Sequence, residues 1–309
     1  IAMAGGIPII NALGGQANPM AWRVIGIIFA VVQLVYGTFA VLGLTGKDIR
    51  KNYLKLEVQE KAKIKDYLKL FGQNRALQML IIAASTNKIA QTMVGSLTVL
   101  FYFYVAKNQA FQTSVSIATL PVMIIMAFAV IFLIKRYGRK EIFAISSWGG
   151  FLWGIAAIFL VSINPSSMWW LVLIAAVNMI LTAGTGDTNL ISMIGDAADY
   201  HYYKYNKFIP GMIGTAFSFI DKIVNSFGAL IIGAVLTSIG FVSITETPQT
   251  PTLFWTVLAM FYGLPALGHL CSVIGMKFHP LDKATHEKML VELAERNGNK
   301  DEVGLAGNV

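Results

Sequence analysis

Residues 112–134 read QTSVSIATLPVMIIMAFAVIFLI, residues 135–140 read KRYGRK, and residues 142–163 read IFAISSWGGFLWGIAAIFLVSI. Two uncharged runs thus flank a turn that holds Lys135, Arg136, Arg139 and Lys140. An α-helix needs about 20 apolar residues to cross the hydrocarbon core of a bilayer. Each run is long enough, and the basic turn reads as the aqueous loop between two membrane spans.

Working outward, the same pattern recurs at 1–16, 22–44, 76–105, 168–193, 211–241 and 252–276, which makes eight candidate spans. Composition agrees: 56% of the 309 residues are hydrophobic and 13% are charged, with mean hydropathy +0.63. Soluble domains run near 45–50% apolar and about 25% charged. The expectation is an all-α membrane protein.

The net charge of +8 would raise nucleic acid as a partner in a soluble protein. Here the basic residues alternate between connections. Residues 45–75 carry Lys47, Arg50, Lys51, Lys55, Lys61, Lys63, Lys65, Lys69 and Arg75. The 135–140 turn is basic, Lys204 and Lys207 follow the sixth span, and Lys277 to Lys300 follow the eighth. The intervening connections are nearly free of basic charge. The positive-inside rule places every basic loop and the C-terminus in the cytoplasm of a multi-pass cell-membrane protein, with no nucleic acid partner. Cys271 is the single cysteine, which excludes an intrachain disulfide. The chain opens with Ile1-Ala2-Met3 inside an apolar stretch, and the numbering reads as starting within a longer protein.

Charge inside a span costs about 2.5–3.5 kcal/mol on insertion scales, so such residues face a cavity or a partner. The seventh span holds Asp221-Lys222, with Thr215, Ser218, Lys222, Asn225 and Ser226 forming one polar stripe. Adjacent helical residues point about 100° apart, so Asp221 and Lys222 are each expected to find a partner on another helix. The third span holds Asn87-Lys88, with Gln91, Gly95 and Thr98 on the Lys88 face. The sixth carries Asn178, Thr182, Thr185 and Asn189, which could line a cavity or serve as hydrogen-bonding glue between helices. Asp187 has no clear partner in the sequence. Lys222, Asn225, Lys88, Gln91, Asn178, Thr182 and Asp221 are the expected substrate-facing residues. Tyr102, Tyr104, Trp148, Trp153 and Tyr262 could stack on a sugar ring, although ordinary packing is the simpler reading. Trp169 and Trp170 read as an interfacial belt. No H-x-x-x-H, acidic metal cluster or Ser/His/Asp set emerges, so neither a metal site nor an enzyme is expected.

The segment Ile194-Gly195-Asp196-Ala197-Ala198-Asp199-Tyr200-His201-Tyr202-Tyr203-Lys204 resembles the D-x-x-D-Y-x-x-[YW]-K motif of the glycoside–pentoside–hexuronide:cation symporters. These are the melibiose-carrier relatives within the major facilitator superfamily. Asn74-Arg75, Tyr102-Phe103-Tyr104-Val105, Tyr137-Gly138-Arg139-Lys140 and the tail from Pro280-Leu281-Asp282 to Glu292-Leu293-Ala294-Glu295-Arg296 resemble other family segments, in the family's order. His201 and Tyr202 depart from the family's Gly-Glu, and Ala76 replaces a proline.

The resemblance implies that the eight spans are the last eight of twelve helices. Residues 1–44 would close the N-terminal bundle, 45–75 would form a cytoplasmic connector, 76–277 a six-helix C-terminal bundle and 278–309 a cytoplasmic tail. It also implies a monomeric symporter of a sugar or glycoside, coupled to Na⁺ or H⁺ bound mostly outside this segment. Lys222 would lie near the sugar, and Asp196, Asp199 and Arg139 would form a cytoplasmic gate. A lysolipid or other organic solute carrier of the same fold, or a non-transporting membrane sensor, is the alternative.

Overall fold

The computed structural model describes residues 9–10, 12–13, 18–45, 64–244 and 246–296. The described residues are helical, with turns and no strand. The chain falls into two compact units, 1–61 and 62–309.

In the first unit, α1 spans Pro19–Leu44. Asn18 caps it by accepting from the Met20 N–H at 3.0 Å, and Pro19 supplies the preset φ of a first helical residue. The expected span at 1–16 lies almost wholly outside the described residues, as does the 46–63 part of the basic connector.

The second unit begins with α2 (Ile64–Gln73) and α3 (Arg75–Leu100), which continues as a wider π-helical turn, Phe101–Val105. Then come α4 (Ala110–Tyr137), α5 (Arg139–Ile163) and α6 (Met168–Thr182). A 3₁₀ turn at Ala183–Thr185 separates α6 from α7 (Asp187–Tyr205). The unit ends with α8 (Pro210–Ser238), α9 (Pro251–Leu258), a π-helical turn at Ala259–Gly263, α10 (Leu264–Phe278) and α11 (Lys283–Arg296).

Six helices of the described chain are long and apolar enough to cross a membrane: Pro19–Gly43, Ala110–Tyr137, Arg139–Ile163, Met168–Tyr205, Pro210–Ser238 and Pro251–Phe278. The expected third span forms as a helix of ample length over 75–105 but is too polar to join that group. Asn87, Lys88, Gln91 and the hydroxyl residues around them dilute its apolar character. It is the helix that packs on both α10 and α8.

From α3 the packing continues through α10 to α5, then α6, then α4. Helices in lipid associate by close van der Waals contact, which favours small residues. The α3–α10 seam illustrates this: a Cβ on Gly268 would lie 2.7 Å from the Thr86 carbonyl oxygen, and one on Gly275 would lie 3.0 Å from that of Met79. Between them Ser272 donates to the Ala83 carbonyl at 2.6 Å.

Asn74, fully buried, caps α3 by accepting from the Leu77 N–H at 3.0 Å and donates to the Ala197 carbonyl of α7 at 2.8 Å. Below it Leu70, Leu77, Leu80, Met193, Ile213, Phe217, Met289 and Leu293 share one apolar core, so α2 and α11 close one end of the bundle. At the other end the two π-helical turns meet, with Phe101 and Phe261 stacked at 4.3 Å. Tyr102 and Tyr104 are buried there, and the Tyr104 hydroxyl donates to the Thr247 carbonyl at 3.1 Å, so packing is their role. Trp169 is exposed, as a belt residue would be, while Trp170 spends its indole N–H on the Leu160 carbonyl at 2.8 Å.

Candidate functional site

A lysine in the middle of a 26-residue membrane helix requires a counter-charge. Lys88 Nζ lies 3.8 Å from Asp221 Oδ2 of α8 and 3.8 Å from Asp187 Oδ1 at the start of α7. The two carboxylates differ in setting. Asp221 is buried, at 7% exposure, whereas the Asp187 side chain is 78% exposed. Asn225, one turn beyond Asp221, donates to Asp221 Oδ2 at 3.3 Å and accepts from the Thr92 hydroxyl at 3.3 Å. Of the two polar stripes, Lys88 of α3 and Asn225 of α8 therefore meet around Asp221. Asp221 Oδ1 is buried and has no hydrogen-bond partner among the described residues.

Lys222 does not join this cluster. It is exposed, on the same side of α8 as Thr215, Ser218 and Ser226, and makes no ion pair among the described residues. The expectation of a partner on another helix is met for Asp221 and not for Lys222, because the 100° step turns Lys222 off the α3 seam. Gln91 is exposed on α3 near Lys88. Asn178 and Thr182 sit apart: the Thr182 hydroxyl donates to the Asn178 carbonyl at 2.8 Å, and α6 packs on α4 and α5. Among the described residues no hydrogen bond or ion pair links them to Lys88. Asp187, which the sequence left without a partner, belongs to the site because the 3₁₀ turn ends α6 and restarts the chain as α7 with Asp187 in its first turn. A carboxylate is favoured there by the helix dipole.

A second cluster lies at the end closed by α11. Arg139 Nη1 reaches Asp196 Oδ1 at 2.5 Å, and His286 Nε2 of α11 lies 3.1 Å from the same oxygen. Asp199, half-buried, stands one turn further along α7. Gly138, at φ 97°, makes the turn that delivers Arg139; a Cβ there would lie 2.9 Å from Lys283 Cβ. Lys283 Nζ donates to the Lys135 carbonyl at 2.9 Å, which satisfies the C-terminal end of α4. Arg139, Asp196, His279, Lys283 and His286 line a cleft of about 220 Å³, and Asp199 lies outside its lining. The expected Arg139–Asp196 pair is formed. His286, 90 residues away in the chain with no motif relating the two, reaches Asp196 because the tail helix folds back on α7. Among the described residues no group of three or more His, Cys, Asp or Glu could hold a metal ion.

Packed membrane-length helices with charged residues inside them and a charged cluster at one end define a polytopic membrane protein. The chain belongs to the family described as MFS/sugar transport protein, whose model matches residues 1–283. This is a transporter family and not an enzyme family, and it carries the major facilitator superfamily fold. The chain is 25% identical over 278 residues to the uncharacterized symporter YnaJ of Bacillus subtilis, covering 84% of this chain and 57% of the relative. It is 24% identical over 322 residues to the uncharacterized symporter sll1374 of Synechocystis, covering 97% and 57%. The chain thus spans less than two thirds of the length of these curated relatives.

Proposed function

We propose that the whole protein is a secondary transporter that carries a sugar or glycoside together with Na⁺ or H⁺ by alternating access. The observation that carries this reading is Lys88, in the middle of α3, set between the buried Asp221 and the exposed Asp187. Intramembrane charges of this kind mark substrate and ion pathways. Membership of a sugar transport family and relatives named as symporters support the same reading. Interrupted helices recur at transporter binding sites, and the turn at Ala183–Thr185 interrupts the long Met168–Tyr205 span.

In this reading Lys88, Gln91, Asp221, Lys222 and Asn225 face the solute, while Asn178 and Thr182, which sit apart on α6, lie outside this group. The coupling cation binds mostly on helices outside this segment. Arg139, Asp196 and Asp199 form the inner gate, the C-terminus is cytoplasmic, and the protein works as a monomer in the cell membrane. Cation and sugar each raise the other's affinity by the same factor, as linkage requires.

The test is uptake of a panel of radiolabelled sugars and glycosides by the full-length protein in membrane vesicles, with and without imposed Na⁺ and H⁺ gradients. Gradient-dependent uptake of at least one is expected, and K222A is expected to abolish it while inserting normally. Absence of gradient-dependent uptake across the panel refutes cation-coupled sugar symport.

A further inference from the structure

Asn189 lies in the first turn of α7, is fully buried, and has a side chain tied on both sides. Its Nδ2 donates to the Gly184 carbonyl at 2.8 Å and to the Arg139 carbonyl at 3.1 Å. Gly184 belongs to the 3₁₀ break, where the helical hydrogen-bond ladder is interrupted. Its N–H donates to Ser146 Oγ at 3.1 Å. A Cβ on Gly184 would lie 2.5 Å from Ser146 Oγ and 2.6 Å from Ile142 Cγ2, so the break is seated against α5 at a distance only glycine permits. Asn189 therefore bolts the start of α7 to both the break and the first turn of α5. The residue that offers its carbonyl to Asn189, Arg139, also sends its guanidinium to Asp196, two turns along α7.

Helix α7 thus carries an ion pair on each side of this anchor. Asp187 pairs with Lys88 two residues before it, and Asp196 pairs with Arg139 seven residues after it. At about 1.5 Å per residue the two arms measure about 3 Å and about 10 Å along the helix. A rigid helix tilting about Asn189 moves Asp196 roughly three times as far as Asp187.

We infer that Asn189 is a positioning residue: it is the fulcrum through which release of Lys88 from Asp187 in the solute-facing cluster opens the Arg139–Asp196 pair at the other end of α7. This rests on the transporter reading above. Solute hydroxyls arriving at the exposed Asp187 carboxylate compete with Lys88, and the tilt that follows pulls Asp196 away from Arg139. The 3₁₀ break is what leaves α7 free to tilt without dragging α6.

The experiment uses the full-length protein in proteoliposomes, with every native cysteine replaced by serine and Ser192→Cys as reporter. Ser192 lines the cleft beside Arg139 and Asp196. The rate of alkylation by N-ethylmaleimide reads opening of that end. R139Q, which breaks the pair directly, is expected to raise the rate, and D187N is expected to raise it roughly two- to fivefold, the range open to an exposed ion pair. In an N189A background the D187N effect is expected to fall to a ratio of about one. S146A, which loosens the same anchor through Gly184, serves as the second variant if N189A fails to fold. An R139Q effect without a D187N effect overturns the transmission while leaving the gate in place. A D187N effect of equal size with and without Asn189 overturns its role as fulcrum. No response to R139Q overturns the gate itself and the inference with it.

Discussion

Acid is expected to loosen the tail helix through one residue, His279. It ends the Pro251–Phe278 span, is 2% exposed, and accepts the Leu281 N–H on Nδ1 at 3.3 Å. Burial, reinforced by the nearby Lys140 charge, pushes its pKa from 6.5 down to about 4. A depressed pKa means the packed form requires the neutral ring. Its stabilisation is complete above pH 6.5 and is lost as the pH falls towards 4. At 1.36 kcal/mol per unit the full effect is about 3 kcal/mol, and between pH 7 and pH 4.5 about 2 kcal/mol of it disappears. That corresponds to roughly a 30-fold rise in local opening. Amide exchange of peptides covering 279–296, corrected for the intrinsic rate at each pH, measures it. H279N supplies the comparison, since its amide oxygen can accept from Leu281 and does not titrate. Asp282, held below its ordinary value by hydrogen bonds from Thr285, adds acid sensitivity in both proteins and cancels between them. Equal opening of H279N and the wild type on acidification refutes this role of His279.

Three further outcomes follow from the packing and the ion pairs. K88A leaves Asp221 buried without its cation and is expected to lower stability by about 2 kcal/mol, less than a fully buried pair because Lys88 is 40% exposed. Adding D221N should restore most of the loss, as read by thermal unfolding in detergent. G268V drives a side chain into the Thr86 carbonyl on α3 and is expected to cost about 1–3 kcal/mol by the same measurement, whereas the same change at Gly233, with open space around it, should be near neutral. S272A removes the donor to the Ala83 carbonyl and is expected to cost about 0.6 kcal/mol, near the average for inter-helix hydrogen bonds in membranes.

The helices were legible because the period of apolar residues and the placement of Lys and Arg are local properties. Lys135 to Lys140 marks a turn whatever lies elsewhere in the chain, and the structure turns there, at Gly138. The third span was legible for its length, and its polarity already signalled that it could not face lipid all round. The Arg139–Asp196 pair was reachable through family resemblance and is formed. The partner of Asp187 was not reachable, since Lys88 lies 99 residues away and no periodicity relates them. Nor could the sequence weigh Lys222 above Lys88. Both are lysines in a span, and the choice between an exposed face and a helix seam depends on how α8 rotates against α3.

The sequence alone determined a multi-span helical membrane protein and the residues that would be expensive in lipid, because transfer cost and helix length are set by composition over some 20 consecutive positions. Tertiary structure decided which charges meet. Glycine-lined seams set how closely and at what rotation helices pack, and that rotation puts Lys88 between two carboxylates while leaving Lys222 exposed.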